Sequence, residues 1–180
     1  MKPEPTFPIH TIGHSTHTLE EFVVILQAYD IALLADVRTI PRSRHNPQFN
    51  LETVGENLTA AGIEYLHLKE LGGLRHPRPD SPNAGWRNDS FRGYADYMLT
   101  EPFIATLERL ISLAMEKRTA IMCAEAVPWR CHRSLIGDAL LVRGIDVVDI
   151  YSATSSKRHE LTRMAVVRGT EITYPSDPPA

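Results

Sequence analysis

Five apolar runs of strand length, "IHTIGHS", "IALLADVR", "IEYLHL", "TAIMCAE" and "IDVVDIYS", are separated by amphipathic stretches of helix length. Runs apolar on both faces belong in a parallel sheet that is covered on both sides, and parallel strands need a crossover, usually a helix. The alternation therefore predicts a three-layer α/β fold: a mainly parallel sheet with helices on both faces. With 180 residues, 43% of them hydrophobic, the chain has material for one core, and residues 1–180 are expected to form a single domain.

The periodicity predicts helices at "LEEFVVILQAYD", with Ser15 or Thr16 as N-cap, and at "LETVGENLTAAG", ended by Gly62. Two more are expected in "YADYMLTEPFIATLERLISLAMEK", with Pro102 in the first turn of the second, and another at "RSLIGDALLVRG". Residues 69–92, "KELGGLRHPRPDSPNAGWRNDSFR", are too rich in proline and glycine for regular structure over most of their length, and a connection this long reads as a lid over a site. The tail from Lys157 is expected to hold a short helix and an edge strand, with residues 174–180 fraying.

A net charge of −3 argues against a surface built for extensive phosphate binding and leaves room only for a local nucleic-acid contact. No stretch approaches the roughly 18 apolar residues of a membrane span. The opening "MKPEPTFPIHTIGHS" lacks signal-peptide and transit-peptide patterns, and the two cysteines are too few for a secreted disulfide framework. A cytoplasmic protein with free thiols is expected, its sequons at Asn57 and Asn88 unused.

The chemistry concentrates where strands end. Cys123 closes an apolar strand, and the next helix starts near His132, so the arch "AEAVPWR" spans a helix N-terminus, where amide N–H groups and nearby Arg130 and Arg133 favour thiolate. Cys131 could be the nucleophile itself or the partner that resolves a sulfenate or disulfide on Cys123; a pair of small buried thiols is the plain alternative. Metal binding by Cys123, Cys131 and His132, joined by His10 or His14, is a further reading, but C-x7-C is not a standard zinc spacing, and neither metal nor cofactor is expected.

In a parallel sheet the second strand ends on the same edge, bringing Asp36, Arg38, Arg42 and Arg44 toward Cys123. The planar fork of arginine suits phosphate or carboxylate oxygens, with Asp36 as an orienting partner or an acid/base group. "GHS" repeats the design: Gly13 for close approach, then His14 as acid/base or packing residue and Ser15 at a helix start. Gly73, Arg75 and Trp86 in the long loop, with Arg87 and Arg92, interleave basic and aromatic groups able to stack on and neutralise a nucleotide; the alternative is a Trp86 packed into the core.

In order, "TIGHS", "DVRTIPRSR", "LGGLR" and "CAEAVPWRCHR" resemble the DUF488 family of uncharacterised bacterial and archaeal proteins over roughly residues 9–150. The resemblance points to His14, Ser15, Asp36, Arg38, Pro41, Arg42, Arg44, Leu71 to Arg75, Cys123, Glu125, Cys131, His132 and Arg133 as a set, without supplying a reaction. The layout is also similar, more loosely, to rhodaneses and cysteine-dependent phosphatases, although Cys123 to Arg130 is C-x6-R rather than C-x5-R and the loop holds Pro128 and Trp129.

These readings lead to three candidate functions. The first is an enzyme in which Cys123 attacks, or carries a group for, a small anionic or nucleotide-like substrate held by Arg38, Arg42 and Arg133, with His132 or His14 moving protons. The second is a nucleotide or single-stranded nucleic-acid binding module with redox-sensing or structural cysteines. The third is a metal-dependent hydrolase using Cys/His ligands.

Overall fold

The computed structural model describes residues 7–177. Strands β1 (Ile9–Gly13), β2 (Leu33–Asp36), β3 (Glu64–His67), β4 (Thr119–Cys123), β5 (Val147–Ser152) and β6 (Ser155–Arg158) form one sheet in the order β3-β2-β4-β1-β5-β6. All neighbours are parallel except β6, which returns antiparallel to β5. Helices α1 (Leu19–Ala28) and α2 (Leu51–Ala60) cover one face; α3 (Asp89–Tyr97), α4 (Glu101–Glu116) and α5 (Arg133–Leu141) contribute to the core on the other. This is the three-layer α/β fold that the alternation predicts, and no described helix is long and apolar enough to cross a membrane.

The side chains of β4 show why both faces need cover. Ala120 and Met122 join Phe22, Leu26, Val54 and Leu58 on the α1/α2 side, while Ile121 and Cys123 join Leu107, Leu110, Leu135 and Ile136 on the other. The same alternation aims the Cys123 thiol at α5. Registers Gly13↔Cys123 and Asp36↔Met122 align the carboxyl ends of β1, β2 and β4 on one edge, where ligand crevices of open α/β sheets form.

Local expectations are corrected at two places. The N-cap of α1 is Thr18, not Ser15 or Thr16: Thr18 and Glu21 form a reciprocal capping box, while Ser15 sits at φ 46° in a turn closed by the His17 amide on the His14 carbonyl. The tail forms no helix among the described residues; instead β7 (Val166–Arg168) and β8 (Glu171–Thr173) make a hairpin turned by Gly169 at φ 64°, and the edge strand is the earlier β6. Within the segment expected to fray, Tyr174 is buried and donates its hydroxyl to Asp138 at 2.8 Å; residues 178–180 lie outside the described residues.

The long connection is irregular from Gly72 to Asn88, and its last residues already belong to α3, capped by Asn88. Buried Asp96 pins it, accepting from the Arg78 amide (2.8 Å), Ser81 (2.6 Å) and Asn83 (2.7 Å).

Candidate functional site

The loop after β4 and the first turn of α5 build a pair of adjacent thiols. A short turn at Pro128–Arg130 folds the arch back so that Cys131 returns to Cys123, and its Sγ–H donates to the Cys123 Sγ at 2.7 Å; both cysteines are free and buried. Gly13 permits the arch to lie this low, since a Cβ there would stand 1.6 Å from the Glu125 carbonyl oxygen.

Arg133, fully buried, lies beneath the thiols. Its Nε–H donates to Cys123 Sγ (3.1 Å), Nη1 to Thr11 Oγ1 (3.1 Å) and Nη2 to the Glu125 carbonyl (2.8 Å). Burial would push the Cys123 thiol up; the hydrogen bond from Cys131, the charge and hydrogen bond of Arg133 and a backbone hydrogen bond at Glu125 outweigh it and bring the group down to about 7. Cys131 moves the opposite way, pushed well up by its hydrogen bond to Cys123, by burial and by the neighbouring thiolate. Above about pH 7 the pair thus shares one proton, held on Cys131. The α5 amide at Arg133 reaches Cys131 Sγ (3.4 Å) and not Cys123, which is met by the Arg133 side chain instead.

His132 is the other polar neighbour of Cys131, with Nδ1 3.6 Å from that Sγ. Its Nε2–H donates to the Val37 carbonyl at 2.8 Å, which leaves Nδ1 with its lone pair. Burial is the largest cause that lowers this imidazole, to about 4, so it is neutral near pH 7. His14 is also neutral, lowered to about 4 chiefly by burial, but both nitrogens are engaged: Nδ1–H donates to the Ser15 carbonyl (2.8 Å), Nε2 faces Arg38 Nη1 (3.3 Å), and the ring stacks on Phe49. His14 has the surroundings of a packing residue, and His132 those of a hydrogen-bond acceptor for Cys131.

Arg38 is nearly consumed by its own neighbours. Nε and Nη2 clamp Asp36 at 2.9 and 2.7 Å, Nη2 also reaches the Phe49 carbonyl at 2.6 Å, and fully buried Asp36 takes a further hydrogen bond from Tyr65 at 2.5 Å. Asp36 is thereby an orienting partner.

Two cavities flank this centre instead of one crevice. The first, of about 290 Å³, opens onto Cys123, Cys131 and His132; apolar Ile40, Leu74, Phe91 and Tyr94 wall it and Arg130 lies at its exposed side. The second, of about 400 Å³, is lined by His14, Ser15, Arg42, Ser43 and Asn46, and shares Arg38, Ile40, Ala124 and Glu125 with the first. Of the residues singled out in the sequence, Gly73 lines the thiol cavity, where a Cβ would meet His132 Nδ1 at 3.1 Å. Arg42 is exposed and 3.4 Å from Glu52, and Arg44 is exposed. Arg75 lies outside, 3.7 Å over the Tyr97 ring. Trp86 is also outside, stacked on Phe91 and tilted against Tyr174, which is the core-packing alternative. Glu125 contributes its carbonyl, its side chain being exposed. Among the described residues no group of three or more His, Cys, Asp or Glu stands close enough together to hold a metal ion.

One part of the site escaped the sequence reading. Thr11 donates to Asp149 (2.5 Å), His159 sits 3.0 Å from both Asp149 and Asp138, and Asp138 accepts from Tyr174, so a buried polar chain runs from Arg133 to Asp138, further along α5. The available signal was a polar residue inside each apolar run: Thr11 in "IHTIG", Asp149 in "VVDIY" and Asp138 in "LIGDALL".

Fold and site together define an open α/β protein with a thiol pair at the carboxyl edge of its parallel strands. The model of DUF488, a domain of unknown function, matches residues 18–140, and the chain belongs to that family. No curated protein and no solved structure matches it.

Proposed function

We propose that the protein is an enzyme whose nucleophile is the Cys123 thiolate, acting on a small substrate that has an apolar body and an anionic group. The observation that carries this reading is the contact of fully buried Arg133 with Cys123 Sγ at 3.1 Å on the floor of an open cavity. A guanidinium kept from water demands negative charge beside it, and an inert thiol would not supply it. Ile40 and Leu74, 65% and 72% exposed on the cavity wall, offer apolar contact, and Leu74 is held there at φ 60°, a costly conformation for a bulky residue. Arg130 in the first cavity and Arg42 in the second are exposed, and they, rather than Arg38 or Arg133, would meet the anionic group.

The test is the alkylation rate of the folded protein as a function of pH, with the modified residue located by peptide mapping. Cys123 should react with a midpoint near 7. In Arg133→Met, which keeps an unbranched apolar stem but removes the cation, the midpoint should move toward the ordinary thiol range of about 8.5. A Cys123 that stays unreactive below pH 8, or a midpoint indifferent to Arg133, would sink the proposal.

A further inference from the structure

In the reading just given, Cys131 only donates a hydrogen bond, yet its surroundings suit a second task. Its sulfur lies 2.7 Å from Cys123 Sγ, and the Pro128–Arg130 turn brings the chain back to this position, so the two sulfurs have only a short way to close to the disulfide length of about 2.05 Å. The lone pair of His132 Nδ1 faces the same sulfur at 3.6 Å. Both cysteines and His132 line the same cavity, while the sulfurs are otherwise buried, at 2% and 6% exposure of their residues, which restricts oxidants to small ones.

We infer that Cys131 is the resolving thiol for Cys123: once a hydroperoxide has converted Cys123 to a sulfenic acid, Cys131 attacks it and closes an intramolecular disulfide. The inference rests on Cys123 being the nucleophile. In the first step the Cys123 thiolate attacks one peroxide oxygen, the S–O bond forms and the O–O bond breaks. The departing alkoxide or hydroxide takes a proton from solvent; sulfur loses two electrons and the peroxide gains them. In the second, the Cys131 sulfur, its thiol oriented by the lone pair of His132 Nδ1, attacks the sulfenyl sulfur; the S–O bond breaks, and the leaving hydroxide takes the Cys131 proton and departs as water. The sum is two thiols and one hydroperoxide giving a disulfide, an alcohol or water, and water. A disulfide formed in this way is the transient, catalytic or sensing kind that a reducing compartment tolerates.

The probe is hydrogen peroxide added to the reduced full chain, followed by intact mass and peptide mapping. Wild type should lose the mass of two hydrogens through a Cys123–Cys131 link within one chain, and dithiothreitol should restore it. Cys131→Ser should instead gain one oxygen on Cys123 and become reactive toward a dicarbonyl sulfenate probe. In His132→Asn closure should slow and the sulfenate should persist longer than in wild type, because the acceptor that orients the Cys131 thiol is lost. Oxygen gain on wild-type Cys123 without closure, or links only between chains, would overturn the inference. If Cys123 alkylates with a midpoint near 7 yet never closes, this inference fails alone; if it resists both reagents, the nucleophile reading fails with it.

Discussion

Two buried arginines stand at the carboxyl edge of the sheet and are satisfied in different ways. Arg38 is clamped by the Asp36 carboxylate, with Tyr65 and the Phe49 carbonyl completing the set, so its charge is cancelled by a permanent partner. Among the described residues Arg133 touches no carboxylate directly; it reaches one thiol, one hydroxyl and one carbonyl, with Asp149 behind Thr11. A cation with a permanent anion is architecture. A cation whose nearest acidic group is a thiol makes that thiol the variable element, and the nucleophile lies there for that reason.

The largest effect that separates the two centres is expected from Asp36→Ala. Removing the carboxylate strands a guanidinium that is almost fully buried, and breaking such a pair costs about 3–5 kcal/mol. Denaturant unfolding should show that loss, while the alkylation midpoint of Cys123 should stay in place in whatever fraction remains folded, because Asp36 touches neither sulfur. A midpoint that moves with Asp36 would mean that the two arginines are one centre.

This division was only partly legible in the sequence. Strand-length runs, Gly62 after α2, Pro102 opening α4 and the charged residues at the strand ends are local signals, and they placed Cys123, Asp36 and His14 on one edge. Which arginine serves which acid is not local: Arg38 finds Asp36 two residues away, but Arg133 reaches Thr11 across 122 positions and Thr11 reaches Asp149 across 138. Basic and aromatic residues in the long loop suggested a nucleotide platform, yet Trp86 and Arg75 find their aromatic partners within the protein, because an apolar ring gains more from burial than from waiting in solvent. Thr18-x-x-Glu21 is a legible capping box, and "VVRGTEIT" a legible hairpin, but each competes with a neighbouring signal in the sequence.

A second, smaller effect lies in the pH dependence of stability, where the two ends of the Arg133 chain act in opposite directions. Cys123 is lowered from 9.0 to about 7, so its contribution is present above the unfolded value and is lost as pH falls through about 7; stability from this group rises between those limits. Burial lowers His159, but hydrogen bonds and charge from Asp138 and Asp149 outweigh it and raise the group from 6.5 to about 9. Its contribution is present below 6.5 and lost as pH rises through about 9. Over the shared window the two offset each other in wild type. Chemical denaturation at stepped pH should therefore give a flatter profile for wild type than for Cys123→Ser, which should lose stability steadily from pH 7 to 9. Parallel profiles would show that the thiol is not ionised in this range.

The smallest effect is also the sharpest test of separation: one hydroxyl removed from each centre. Tyr65→Phe deletes a hydrogen bond to Asp36, but leaves that carboxylate clamped by Arg38, so the cost should be about 1–2 kcal/mol, with thiol reactivity unchanged. Thr11→Val keeps the side-chain volume but takes the acceptor from Arg133 Nη1 and the donor from Asp149, leaving two buried groups short of a partner at a comparable cost of about 1–3 kcal/mol. The stability losses overlap, so the discriminating measurement is the alkylation midpoint. Thr11 holds Arg133 in the position from which Nε meets the sulfur, and its loss frees the guanidinium to turn toward Asp149. That turn weakens the contact that favours thiolate, and the midpoint should rise in Thr11→Val and hold in Tyr65→Phe. Equal midpoints in the two variants would show that Arg133 is fixed by Glu125 and the surrounding packing, with the chain through Asp149 and His159 serving stability alone.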